Sequence, residues 1–153
     1  MAFGTFRFVT RLAVASPRQV LRTRETSSSL GRLSEIALKI YCNMKRFLFV
    51  CSMNRLRSPT AETIFSTIDG IDVRSAGTDK NAENPISADE IEWADCIIAM
   101  ENRQRNILLK KFKSLLRDKR LIVLGIPDDY EYMDPELISI LKVKMYPIFG
   151  IAV

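Results

Sequence analysis

The stretch Phe47-Leu48-Phe49-Val50-Cys51-Ser52-Met53-Asn54-Arg55-Leu56-Arg57-Ser58-Pro59-Thr60-Ala61-Glu62 decides how this chain is read. Its first four residues are an apolar run of the kind that makes a β-strand. Its last five read as the opening of a helix. Pro59 suits a first helical turn, where its missing N–H is not needed, and Ser58 is a favoured N-cap residue. Between strand and helix, Cys51 and Arg57 stand six positions apart on a loop. A strand, a tight loop and a helix N-terminus in that order make an anion site. The carboxyl end of a strand is also where open α/β sheets bind ligands.

The loop carries its own chemistry. A segment curled between Cys51 and Arg57 can aim the backbone N–H groups of Ser52, Met53, Asn54, Arg55 and Leu56 at the oxygens of a phosphate monoester. The helix start near Ser58 adds its positive end. Arg57 supplies a planar two-pronged donor that a lysine could not match. The same positive field favours thiolate over thiol at Cys51. The thiolate can then attack phosphorus in line and form a phosphocysteine. Ser58 is placed to donate a hydrogen bond to that sulfur. Asn54 is the natural residue for a left-handed turn inside the loop.

Composition narrows the alternatives. The chain has 153 residues, enough for one domain of ordinary size. It has no histidine, which excludes Ser-His-Asp and Cys-His catalysis as usually built. The three cysteines, Cys42, Cys51 and Cys96, form no CxxC pair, so neither a structural metal nor another cofactor is expected. A sparse, odd cysteine count fits a reducing compartment such as the cytoplasm. No apolar stretch is long enough to cross a membrane as a helix. The net charge of +5 is misleading, because residues 1–43 hold seven basic and two acidic residues while 44–153 is neutral. A nucleic-acid partner is therefore not indicated.

Residues 1–43 are rich in Arg and Ser and weakly patterned, and they are expected to form a disordered or loosely helical extension. A mitochondrial transit segment is the alternative. A third reading is an upstream start, since Met44-Lys45-Arg46 runs straight into a strand. From Met44 onward strands and helices alternate. Strands are expected at about 46–50, 72–75, 96–100 and 120–126. Helices are expected at about 58–68, at 87–94 with Ser87 or Asp89 as cap, at 102–112, and from a cap at Asp134 to about 145. This order predicts a single α/β domain over 44–153, a four-stranded parallel sheet with helices on both faces. Cys96 reads as core, and the tail over 146–153 has no assigned role.

Thiolate attack expels an alkoxide or phenoxide, and a general acid speeds that step by about 10²–10⁴. Without histidine a carboxyl is the expected donor. Asp128 and Asp129 follow the fourth strand at the ligand-binding edge, and either can serve.

Taken together, these residues resemble the low-molecular-weight protein tyrosine phosphatase family. The likeness rests on Val50 to Glu62, on Val73-Arg74-Ser75-Ala76-Gly77-Thr78, on Trp93-Ala94-Asp95 with Ile97-Ile98-Ala99-Met100, and on Ile126-Pro127-Asp128-Asp129-Tyr130. It covers about 45–146. The resemblance implies Cys51 as nucleophile, Arg57 as phosphate binder and Asp128 as acid and then base, with no metal. It also implies that Asn54, Ser58 and Ser75 form the network holding the loop. The chain departs from the family's pattern in four places. Met53 replaces the loop's usual glycine. The acid loop reads Asp-Asp-Tyr-Glu-Tyr rather than Asp-Pro-Tyr-Tyr. The stretch between the second and third strands is shorter than in typical members, and a loop-supporting histidine is missing. A compact, bacterial-type branch is the expectation.

Three functions compete. One is hydrolysis of aryl phosphates, with phosphotyrosine in proteins as substrate and Met53, Leu56 and Tyr130 lining a slot for the ring. The second is a thiol enzyme like the thioredoxin-type arsenate reductases, which needs two further cysteines. The third is a phosphate-binding module with little turnover. No sequence feature sets an oligomeric state.

Overall fold

Two apolar runs, Phe47-Leu48-Phe49-Val50 and Cys96-Ile97-Ile98-Ala99, lie side by side at the sheet's centre because they are too hydrophobic to face water on either side, and two edge strands of more polar sequence flank them. The four strands are β1 (Lys45–Cys51), β2 (Ile71–Gly77), β3 (Cys96–Ala99) and β4 (Arg120–Val123), all parallel in the order β2-β1-β3-β4. The helices between and after them are α1 (Arg57–Phe65), α2 (Ala88–Trp93), α3 (Asn102–Lys111) and α4 (Pro135–Phe149). The structure is a computed structural model and describes residues 45–151. The expected extension over 1–43, with Cys42, lies outside the described residues.

Alternation along the strands sorts the core into two layers. Phe47, Phe49 and Cys51 of β1 face one side with Val73, Cys96 and Ile98, under Ala61 and Phe65 of α1 and Leu137, Leu141, Met145 and Phe149 of α4. Leu48 and Val50 face the other side with Ala76 and Ile97, under Ile91 of α2 and Leu108 of α3. Helices thus cover both faces, as expected. Phe65 anchors the first layer. It stacks on Phe49 with ring centroids 5.6 Å apart and meets Phe149 edge-on at 5.0 Å.

Four expected boundaries change. Helix α1 stops at Phe65, because Asp69-Gly70 turns the chain and Gly70 takes a left-handed φ of 80°. Strand β4 stops at Val123, although Leu124 N and Ile126 N still bond Ala99 O and Met100 O. Gly125, at φ 67°, turns the backbone between those two bonds. Helix α4 runs past the expected end at Met145 to Phe149 and closes on Gly150. The apolar tail therefore has a role, since Tyr146 and Phe149 both pack on Phe65. Pro147 is accommodated in the final turn. The fourth change, at the start of α1, belongs to the site.

Candidate active site

In this strand order the switch point lies between β1 and β3, whose neighbours lead in opposite directions. A doubly wound sheet opens a ligand crevice there, at the carboxyl edge. The segment 51–57 fills that crevice. Its outer edge is fixed by three backbone bonds from the turn after β2. Thr78 N donates to Cys51 O, Asp79 N to Ser52 O and Glu83 N to Met53 O, at 3.0, 3.0 and 3.1 Å. A trans peptide points its C=O and the next N–H in opposite directions. Turning these three carbonyls outward therefore turns the N–H groups of Ser52, Met53 and Asn54 inward. Asn54 N reaches Cys51 Sγ at 3.1 Å. Asn54 takes φ 54°, the expected left-handed turn, whereas Met53 is not among the positive-φ residues. That is why a side chain is tolerated where the family usually has glycine.

Glycine is needed instead at Gly77. A Cβ built there would lie 2.4 Å from Ala82 Cβ and 2.7 Å from Ser52 O. The turn can brace the loop only because this side chain is missing.

Ser58 does not cap α1. The N-cap position is Leu56, with no side-chain bond, and Ser58 lies inside the first turn. Its hydroxyl is fully buried and sits 2.9 Å from Cys51 Sγ and 2.8 Å from Asn54 Oδ1, one donor shared between two acceptors. Ser75 is not in that network. Its hydroxyl donates to Glu62 of α1, and Asn84 Nδ2 donates to its carbonyl at 2.7 Å. It ties β2 to α1 beneath the loop.

Arg57 is only 1% exposed. One prong is committed to the protein, since Nη1 donates to Ile126 O at 2.6 Å and to Glu101 Oε2 at 3.0 Å. The other edge is different. Nε is buried with no hydrogen-bond partner, and Nη2 pairs with Asp128 Oδ1 at 2.9 Å. Asp128 is 62% exposed on its loop, so its own carboxylate stays hydrated when another anion takes its place on Arg57. Cys51, Met53, Arg55, Leu56, Arg57 and Asp128 together line a cavity of about 260 Å³. Of the two acid candidates, Asp128 borders this space and Asp129 does not. Tyr130 also falls outside the lining and lies partly buried against the first core layer.

Two residues of the site escaped sequence reading. Glu101 and Gln104 form a capping box at the start of α3. From there Gln104 Nε2 donates to Ser52 Oγ at 2.9 Å, and Glu101 holds Arg57. Desolvation pushes the Glu101 carboxyl up, but hydrogen bonds from Arg57 and Gln104 outweigh it and hold it below the usual carboxylate range. The capping pattern is legible in sequence. Its partners, 44 and 52 residues away, are not.

Cys96 is buried in β3, as expected, and burial pushes its thiol up to about 11. It pairs in register with Phe47. Cys51 lies four residues farther along β1, about 13 Å away at roughly 3.3 Å per residue. A disulfide needs Cα atoms within about 7 Å, so these two cysteines cannot join. Among the described residues there is no other cysteine.

Neither a protein-family model nor a curated protein sequence matches the chain. Solved structures do. The low-molecular-weight protein tyrosine phosphatase SP-PTP from Streptococcus pyogenes is 19% identical with a TM-score of 0.57, over 72% of this chain and 95% of that one. The YwlE arginine phosphatase from Geobacillus stearothermophilus is 20% identical with a TM-score of 0.54, over 69% and 94%. The thioredoxin-dependent arsenate reductase of Corynebacterium glutamicum is 19% identical with a TM-score of 0.52, over 79% and 68%. The fold is that of the low-molecular-weight protein tyrosine phosphatases.

Proposed function

We propose that residues 44–153 form a metal-independent phosphatase that hydrolyses aryl phosphate monoesters, phosphotyrosine in proteins among them, through a phosphocysteine. The observation carrying this reading is the Nε–Nη2 edge of Arg57, whose one partner is an exposed carboxylate. A buried guanidinium with one prong tied down and Nε unpartnered is poised to take two oxygens of one anion. The inward N–H groups of the loop favour the same ligand.

In this reading the phosphate displaces Asp128 from Arg57 Nη2, and the freed carboxylate takes up a proton from solvent and turns to the leaving oxygen. Cys51 thiolate attacks phosphorus, the P–O bond breaks, and protonated Asp128 gives its proton to the departing phenoxide. A water then attacks the phosphocysteine, Asp128 takes the water's proton, and sulfur leaves as thiolate. Ser58 and the Asn54 N–H stabilise the sulfur in both steps. Met53 and Leu56 offer apolar contact to an aryl ring. Partners are a phosphorylated protein or a small aryl phosphate, met where thiols stay reduced, as in the cytoplasm. The arsenate-reductase reading is weaker, because Cys96 cannot reach Cys51. The phosphate-binding module remains the outcome if turnover is absent.

The test is hydrolysis of p-nitrophenyl phosphate, phosphotyrosine peptide and phosphoarginine peptide by wild type, Cys51→Ser and Asp128→Asn. Wild type should cleave the two aryl esters and prefer them to phosphoarginine, and Cys51→Ser should be inactive. Asp128→Asn should lose about 10²–10⁴ on the peptide and less on p-nitrophenyl phosphate, whose leaving group needs little acid. Activity surviving in Cys51→Ser would reject the mechanism.

A further inference from the structure

We propose that Glu101 and Gln104 are positioning residues that clamp the two ends of the Cys51–Arg57 loop in register for the transition state. The inference rests on the phosphatase reading above. A helix cap needs only the reciprocal bonds within the turn. Here Glu101 N donates to Gln104 Oε1 at 2.8 Å, and the Gln104 backbone N–H donates to the Glu101 carboxylate. The same two side chains go further. Gln104, fully buried, holds Ser52, the residue after the nucleophile. Glu101 holds Arg57, the last residue of the loop.

Each bond removes one rotation that matters. The guanidinium is planar, so fixing Nη1 between Glu101 Oε2 and Ile126 O fixes the direction of the Nε and Nη2 edge. Holding Ser52 Oγ fixes the first turned peptide, whose N–H points into the cradle. These donors must meet equatorial oxygens that move as phosphorus passes from tetrahedral to five-coordinate. Small misplacements therefore cost more in the transition state than in the ground state.

Glu101→Gln separates clamp from cap, since an amide oxygen can still accept at the helix start while the charge facing Arg57 is lost. Gln104→Met keeps the volume and removes the bond to Ser52 together with the side-chain half of the cap. Turnover of p-nitrophenyl phosphate, thermal melting, and calorimetric binding of inorganic phosphate and of orthovanadate, which adopts the five-coordinate geometry, are measured in the full chain. The clamp predicts kcat lower by about 10- to 100-fold with KM changed less. It also predicts vanadate affinity falling by several-fold more than phosphate affinity, with melting nearly unchanged in Glu101→Gln. If Gln104→Met fails to fold, Glu101→Gln decides alone. Unchanged kcat, or equal weakening of phosphate and vanadate, overturns the clamp. If wild type has no turnover the phosphatase reading fails, and the vanadate-to-phosphate ratio still judges the clamp.

Discussion

Ser58 shows what a residue can hide. In sequence it reads as a helix cap, because serine before proline at a helix start usually is one. In the fold it lies inside the first turn, two residues past the N-cap at Leu56, and its hydroxyl serves Cys51 and Asn54. Only the path of the loop decides between the two roles, and that path is set by bonds from residues 78–83. The shared placement of Cys51, Arg57 and Asn54 on one loop was legible because it follows from residue type and spacing. Which of Asp128 and Asp129 reaches Arg57 was not, since that depends on the path of the loop after β4. A hydrogen bond to a charged group is worth about 1.5–3 kcal/mol. Ser58→Ala should therefore lower kcat by roughly 10- to 100-fold, read by steady-state hydrolysis of p-nitrophenyl phosphate; an unchanged rate would remove Ser58 from the mechanism. Iodoacetamide at neutral pH should modify Cys51, which lines the cavity, and spare Cys96, whose buried thiol is held up to about 11. Peptide mass mapping checks this, and Cys96 labelled ahead of Cys51 would contradict it.

Among the elements, the strands were the plainest in sequence, because runs such as Phe47-Leu48-Phe49-Val50 and Cys96-Ile97-Ile98-Ala99 have no other stable use than a sheet covered on both sides. Ends were harder. The run into β4 reads as strand to Ile126, and only the left-handed Gly125 ends it. Pro147 argues for an early stop to α4, yet packing of Tyr146 and Phe149 on Phe65 keeps the last turn helical. Phe65→Ala should cost about 3–5 kcal/mol in urea denaturation, since both α1 and α4 dock through that ring. A loss below 1 kcal/mol would show that this layer is not the anchor described. Gly77→Ala tests the brace between β2 and the loop. A Cβ with 2.4 and 2.7 Å contacts must displace Ala82 or the Ser52 carbonyl. The expected result is about 1–3 kcal/mol of destabilisation together with loss of phosphate binding in calorimetry. Normal binding would mean the loop does not depend on that close approach.

At the scale of the whole molecule, distant segments meet at one edge of the sheet, and this is the part sequence could least reveal. Parallel alternation predicts the sheet, but not that α3 grips both ends of the loop. Charge state follows from the same assembly. Asp95 is desolvated, which pushes its carboxyl up, yet bonds from Arg46 outweigh this and hold it low; Glu101 is held low by Arg57 and Gln104. Both folded values lie below the unfolded ones. Their contributions are therefore present above the ordinary carboxylate range and are lost as pH falls through the folded values. Each side chain is more than a third exposed, so each contribution is small. Cys96 works in the opposite direction. Its folded value is raised, so its contribution is whole below the ordinary 9.0 and is lost as pH rises toward about 11. Urea midpoints from pH 8 to 11 should fall more steeply in wild type than in Cys96→Ala, and equal slopes would refute this assignment. The proposed function requires that Cys51 and the Nε–Nη2 edge of Arg57 face one phosphoryl group. It is tested most directly by rapid acid quench of wild type with ³²P-labelled aryl phosphate, followed by mapping of the labelled peptide. The expected product carries phosphorus bonded to the sulfur of Cys51. Label on another residue, or none during active turnover, would contradict it.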